Sequence, residues 1–492
     1  MLVGLGFMVV TIAIALFFMA LADGAFEAYP YLFLMPWIFG LAVVMAVPAA
    51  VLHYQRKFSF ANPIIFATWS YFFPAFVIGG IFLASGWSQP YFLVFIQDAH
   101  YNLPLTIVIV ALGYGGLSLG YLLPLGEKAG GLIERALPKT DYPAESFGIP
   151  GIALLIIGII NTIVAFGLGL FGYQRAQEIT SYDGLIYVTT IFWTQGSFLL
   201  WNVIFKQKRM TLINIVIIAL LVTTAVSKSL FAGNRGNLLS TFIIIALAYV
   251  LSGRELKVKQ TVAAGVVLTV FIIVGMIYGT TFRSVKGTED TQGMDRYAEN
   301  IVKTLDEVGK KDTVDLLQFS FSSMTERIDI VSTLAVVVSN YEQLAPYEEA
   351  YGLDNNIWQD LSTFFIPRIL WKDKPYASNP RKYGDLYFDY GESAFAITPM
   401  GDLLRNYGVV GVPIGMFILG LILRIIYRAL VENQPPAIWR TTLYFMLLLA
   451  VSYESFYGTM IPFMVKGGFT AVLGILFVNF LAKRIKKQEP AF

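Results

Sequence analysis

Apolar runs of roughly the twenty residues needed to cross the hydrocarbon of a bilayer recur along most of this chain. They fall at about 2–22, 30–52, 62–86, 103–125, 149–171, 184–205, 211–231, 236–252, 260–281, 404–427, 437–459 and 464–482. Irregular backbone cannot face lipid, because its N–H and C=O groups would go unpaired, so the pattern predicts an all-α polytopic membrane protein with about twelve transmembrane helices. The run at 236–252 is short and is expected to tilt or to begin in a buried turn. One long polar break separates the ninth run from the tenth. Within it, Leu316, Leu317, Phe319, Met324, Ile328, Ile330, Val331 and Leu334 recur at helical spacing, which predicts an amphipathic helix over 313–341. From Pro346 to Pro399, prolines, glycines and aromatic residues suit a turn-rich cap. The expected division is 1–281 for nine helices, 282–403 for a loop subdomain, and 404–492 for three helices and the C-terminus.

Composition agrees with a lipid-embedded chain. Of the 492 residues 56% are hydrophobic and 14% charged, and mean hydropathy is +0.65. A soluble fold cannot hide that much apolar surface. Leu2–Ala22 has no basic residue ahead of it and reads as a retained first helix rather than a cleaved signal. With Cys 0 there is no disulfide, thiolate site or thiol nucleophile, and two histidines, His53 and His100, are too few for a histidine metal centre. No Gly-rich phosphate loop, Walker motif or nucleophile elbow is present. Neither a metal nor a cofactor is expected, and a net charge of +2 without a basic tract gives no reason to expect nucleic acid.

Lysine and arginine orient the helices. With the N-terminus inside, cytoplasmic connections hold Arg56 and Lys57; Lys128, Arg135 and Lys139; Lys206, Lys208 and Arg209; Arg254, Lys257 and Lys259; Arg424, Arg428 and Arg440; and Lys483, Arg484, Lys486 and Lys487. The short outer connections hold only Arg175, Lys228, Arg235 and Lys466. The bias predicts cytoplasmic termini, with 282–403 outside the plasma membrane.

The outer cations that break this bias are the candidate chemistry. Lys228 and Arg235 flank a tight turn ahead of a helix N-terminus, where free N–H groups and the dipole favour an anion; the bland alternative is snorkelling to headgroups. Arg368, Lys374 and Arg381 lie among Trp371, Phe364 and Phe365, a set able to fork onto phosphate oxygens and stack on sugar rings. Arg327, on the amphipathic segment, is the weakest member. Among the acids, Glu392 and Asp402 flank the return to the membrane, and Arg405, three residues beyond Asp402, offers a simple ion pair. Glu454 lies near the outer end of the eleventh run, where a carboxylate needs a cation or a task, and Lys466 is placed to approach it.

Ile366-Pro367-Arg368, Trp371 and Lys374-Pro375, followed by Pro399-Met400-Gly401-Asp402-Leu403, Asn406-Tyr407-Gly408 and Gly411, resemble the Wzy-type oligosaccharide repeat unit polymerases. The likeness is strongest over about 360–425, with Gly233-Asn234-Arg235-Gly236 as a second landmark. The resemblance implies a GT-C-type glycosyltransferase with undecaprenyl-diphosphate-linked donor and acceptor glycans as partners, aided by a chain-length regulator. The growing chain passes en bloc from its lipid diphosphate to the next lipid-linked unit. The family's outer-loop spacing of Arg followed eleven residues later by Gly occurs here only at Arg254 and Gly265, on the inner side. In this scheme Arg235, Arg368, Lys374, Lys228 and Arg381, with Lys466 and Arg327, face the diphosphate, and Glu454, Asp402 or Glu392 takes the acceptor proton. An O-antigen ligase or single-sugar transferase shares the chemistry; a lipid-linked-glycan flippase or a membrane scaffold shares only the helices.

Overall fold

The computed structural model describes residues 29–139, 142–168, 183–207, 210–232, 235–254, 258–286, 294–310, 313–366, 370–371, 373–374, 378–391, 395–432 and 437–488. The first predicted span, Leu2–Ala22, lies outside them. Every regular element among the described residues is helical. In chain order they are α1 (Met35–Tyr54), α2 (Pro63–Ala84), α3 (Ala99–Leu122), α4 (Pro124–Ala136), α5 (Gly148–Gly167), α6 (Asp183–Lys206), α7 (Leu212–Ala232), α8 (Arg235–Leu251) and α9 (Val258–Lys286). The polar break contributes α10 (Met294–Lys310), α11 (Thr313–Ile328), α12 (Ile330–Tyr351), α13 (Asn356–Thr363) and α14 (Pro380–Phe388). The chain then ends in α15 (Thr398–Leu430), α16 (Ile438–Leu449) and α17 (Tyr457–Gln488).

Eight of the described helices are long and apolar enough to cross a membrane: α1, α2, α3, α5, α7, α9, α15 and α17. The chain is therefore an α-helical, membrane-embedded protein. The differences from twelve have local causes. The run at 437–459 stops as a helix at Leu449 and turns through Tyr453–Phe456, leaving α16 short, as α8 also is. α6 carries buried Gln195 and Asn202, whose amides donate to the carbonyls of Ala471 at 2.8 Å and Ala248 at 3.3 Å, so its polarity is spent on neighbouring helices.

α2 shows how sequence bends a span. Asn62 caps it through Ile64 N–H at 3.3 Å, with Pro63 in the first turn, where a missing N–H costs nothing. Thr68 and Ser70 then bond back to the carbonyls of Ile64 and Phe66, each at 2.6 Å, and Pro74 donates nothing; Thr68–Ile78 winds as a π-helix. The tightest crossing joins α3 to α15. A Cβ on Gly120 would lie 2.0 Å from the Phe417 carbonyl oxygen, and one on Gly116 2.3 Å from that of Pro413. Small residues four apart let two backbones touch.

Described parts of the polar break pack into the helical body. The amphipathic helix predicted over 313–341 is two helices, broken at Asp329, whose carboxylate caps α12 through Ser332 N–H at 3.0 Å and accepts from Ser88 at 2.8 Å. Ile330–Val338 is buried on every side, wedged against α2, α3 and α15. The Asp329 side chain is fully buried.

The charges gather at opposite ends of the helices. Where α3 ends and α15 ends, Arg424 bridges Glu127 at 2.8 Å and Glu432 at 3.0 Å, with Lys57 3.4 Å from Glu432. The other end, at the starts of α15 and α17, holds the candidate site.

Candidate functional site

α15 is interrupted at Gly408, whose φ of 67° and ψ of −170° suit glycine alone. The break frees a short amphiphilic piece, Thr398–Tyr407, that carries Asp402 and Arg405 into a buried cluster with residues of α12, α13 and α14. Arg405 Nη1 lies 2.7 Å from Glu348 Oε1, and its Nη2 lies 3.0 Å from Asp402 Oδ1 and 3.0 Å from Asn356 Oδ1. Asn356 donates to Asp402 at 3.0 Å, and Gly458 N–H, at the start of α17, donates to its other oxygen at 3.2 Å. Tyr387 donates to Glu348 at 2.7 Å. Buried charges persist only when paired and hydrogen-bonded, and this set fastens five elements together, α12 to α15 and α17.

Asp402 is consequently a correction to the list of proton acceptors. Its carboxylate is 0% exposed and fully engaged by Arg405, Asn356 and Gly458. A base must reach the hydroxyl it deprotonates, and this one is an anchor.

Asn356 links the anchor to a more open cluster. It donates to Ser378 at 2.8 Å, and the Ser378 hydroxyl donates to Asp360. Asn356 and Asp360 stand one turn apart on α13, so one face carries both. Burial pushes the Asp360 carboxyl up to about 6; nearby Asp402 adds to the rise, and the Ser378 hydrogen bond, Lys466 and Lys374 oppose it. Two sequence-predicted cations thus share one carboxylate. Lys374 is half-buried and donates to the Ile366 carbonyl at 3.1 Å. Lys466 is exposed on α17 between Phe463, Val465 and Phe469, themselves 41%, 49% and 63% exposed, so its charge sits on an outward apolar face.

Glu454 occupies the turn before α17. It remains open to solvent on one side, while the wall beside it displaces water and lifts its carboxyl above the ordinary range; Arg327, at the end of α11, opposes that lift. Its cationic neighbour is Arg327, whereas Lys466 acts on Asp360. Tyr71, from the π-wound part of α2, lies within electrostatic reach of Glu454.

Arg381 and Lys228 lie elsewhere. Arg381 is exposed in the first turn of α14, its N–H bound by Asn379. Lys228 is half-buried, its Nζ 4.9 Å from the Trp193 ring centre between α6 and α7. Arg235 opens α8, and its side chain lies outside the description, as do Arg368 and Glu392 entirely. Asp360 and Glu348 escaped the sequence reading. The signal for Asp360 was its place as the last acid before the Phe364–Lys374 stretch; Glu348 had none, since its partners are 39 and 57 positions away.

A model of the family described as a domain of unknown function (DUF8712) matches residues 154–432, more than half of the chain. The chain belongs to that family. No curated protein and no solved structure matches it. The matched region holds Arg327, Glu348, Asp360, Lys374, Asp402 and Arg405, and Glu454 and Lys466 follow it.

Proposed function

We propose that this protein is a membrane glycosyltransferase that lengthens a polyprenyl-diphosphate-linked glycan, the activity of the Wzy-type polymerases that its sequence resembles. The observation that carries the reading is Lys466: a cation on an apolar, outward helix face, joined through Asp360 to Lys374. A ligand matching that surface has a long apolar tail and an anionic head. Tail and head meet this description in a lipid diphosphate, whose chain would lie along Phe463 and Phe469 while its phosphates meet Lys466 and Lys374.

In this scheme a hydroxyl of the acceptor glycan attacks the donor's anomeric carbon. The bond to the diphosphate oxygen breaks, the lipid diphosphate departs with the bonding electrons, and the hydroxyl proton passes to Glu454. Fixed cations at the leaving group stabilise the charge that grows there. A carboxyl raised toward neutrality is a stronger base than an ordinary one, which favours Glu454. Arg327 is positioned to hold its carboxylate between turnovers. Asp402, Arg405 and Glu348 set the frame, and the loop segment faces the extracytoplasmic side of the plasma membrane.

The test is direct binding. The full chain in detergent, titrated with undecaprenyl diphosphate and read by native mass spectrometry, is expected to take up the lipid, and Lys374→Ala with Lys466→Ala to lose most of it. Equal uptake by wild type and the double variant would overturn the assignment.

A further inference from the structure

Past the apolar α3 the chain breaks at Leu123, whose ψ of 146° is extended, and restarts at Pro124 as α4. Proline suits that first turn, because the N–H it lacks would have no helical partner. α4 lies along the end of α15 with its glycines inward. A Cβ on Gly126 would stand 2.7 Å from Arg424 Cγ, and one on Gly130 2.7 Å from Arg428 Cβ. The two acids of α4 turn toward the same arginines. Glu127 pairs with Arg424 at 2.8 Å and with Lys57 at 3.6 Å, and Glu134 pairs with Arg428. Glu432 meets all three of these cations. Lys57, Arg424 and Arg428 thus balance Glu127, Glu134 and Glu432, and α4 has no further acid to offer.

The outward side of α4 has the opposite character. Leu125, Lys128, Leu132 and Arg135 follow one another at steps of three or four residues, which aligns them as one stripe away from the glycines. All four are exposed, Leu125 and Leu132 by 58% and 66%. Lys128 and Arg135 enter none of the ion pairs among the described residues. Arg56, next to Lys57 in the turn after α1, is exposed as well. A water-facing helix gains nothing from leucines so bare, and a helix facing only acyl chains has no place for lysine and arginine. The stripe suits the boundary between the two, where α3 and α15 end. There the leucines reach hydrocarbon while the cations stay at headgroup level.

We propose that the outward face of α4 binds anionic phospholipid of the surrounding bilayer, with the phosphate between Lys128 and Arg135 and the acyl chains over Leu125 and Leu132. Charge complementarity selects this occupant. The ion pairs beneath the helix cancel, so the face presents the charges of Lys128, Arg135 and Arg56. Each cation held near a membrane surface favours anionic over uncharged lipid several-fold. The interleaved leucines, continuous with the apolar ends of α3 and α15, select a lipid over a soluble anion. In the proposed orientation this is the cytoplasmic leaflet. The surface uses none of the cations assigned above to the lipid diphosphate, and it stands or falls apart from glycan transfer.

Full-length protein stripped of lipid in detergent, titrated with phosphatidylglycerol or phosphatidylcholine and read by native mass spectrometry, tests this surface without any glycan. Wild type is expected to bind phosphatidylglycerol on the order of tenfold more tightly than phosphatidylcholine. Lys128→Gln with Arg135→Gln should remove that preference. Lys303→Gln with Lys310→Gln takes the same charge from exposed positions of α10 and should keep it. Phosphatidylglycerol should also raise the unfolding temperature of wild type more than that of the α4 double variant. Each α4 single variant is expected to lose part of the preference, and serves if the double variant fails to fold. A wild type that binds both lipids alike, α4 variants that keep the preference, or an equal loss in the α10 variant would overturn the proposal.

Discussion

Asp360 keeps a carboxyl where water is scarce, held up to about 6 by burial and by Asp402. An acid raised in the fold binds its proton more tightly there than in the unfolded chain, so its contribution to stability is greatest below the unfolded value near 4 and declines as pH rises through about 6. Asp360→Asn removes that dependence while leaving an acceptor for Ser378. Thermal unfolding in detergent should therefore show the variant more stable at pH 7.5, by on the order of 2 kcal/mol, and matching wild type near pH 4. Arg405 answers differently. Arg405→Met leaves Asp402 and Glu348 buried without their cation, and unfolding should register a loss of about 3–5 kcal/mol. Sequence spacing foretold the Asp402–Arg405 pair, because three residues along a helix bring the side chains together. It did not foretell that the pair is sealed, which depends on Glu348 and Asn356 arriving from distant helices.

Helices were the most legible elements, and the misreadings share one cause. Apolar periodicity marks a buried face without saying what covers it. The stripe read across 313–341 merged α11 with α12, because Ile330, Val331 and Leu334 continue the apolar pattern of α11 past the break at Asp329. α12 is instead enclosed on all sides by neighbours whose contact no local pattern announces. In the same way, the run at 437–459 hid a turn, since the aromatic residues of Tyr453–Tyr457 are as apolar as those of a span. The α3–α15 crossing tests element packing. Gly120→Leu places side-chain atoms where the Phe417 carbonyl lies 2.0 Å from the new Cβ, whereas Gly115, one position before Gly116, meets nothing within 4 Å. Gly120→Leu should abolish the monodisperse detergent-solubilised species on size exclusion, and Gly115→Leu should preserve it.

For the molecule as a whole, the proposed sidedness rests on the distribution of lysine and arginine. The cations assigned to the cytoplasmic side, Lys57, Arg424 and Arg428 among them, form a single ion-pair cluster with Glu127, Glu134 and Glu432. Lys374, Lys466 and Arg327 meet acids at the other end. Because the chain has no cysteine, single cysteines report sidedness against a blank background. An impermeant maleimide should label Glu349→Cys in intact cells, and Arg135→Cys only after the membrane is opened; both positions are exposed.

Glycan lengthening by the purified chain tests the account most directly. In vesicles supplied only with a polyprenyl-diphosphate-linked repeat unit, wild type is expected to produce a ladder of products separated by one repeat. Glu454→Gln and the Lys374→Ala, Lys466→Ala double variant should leave the repeat unit unextended. Unchanged repeat units with wild-type protein, or ladders from both variants equal to that of wild type, would contradict it.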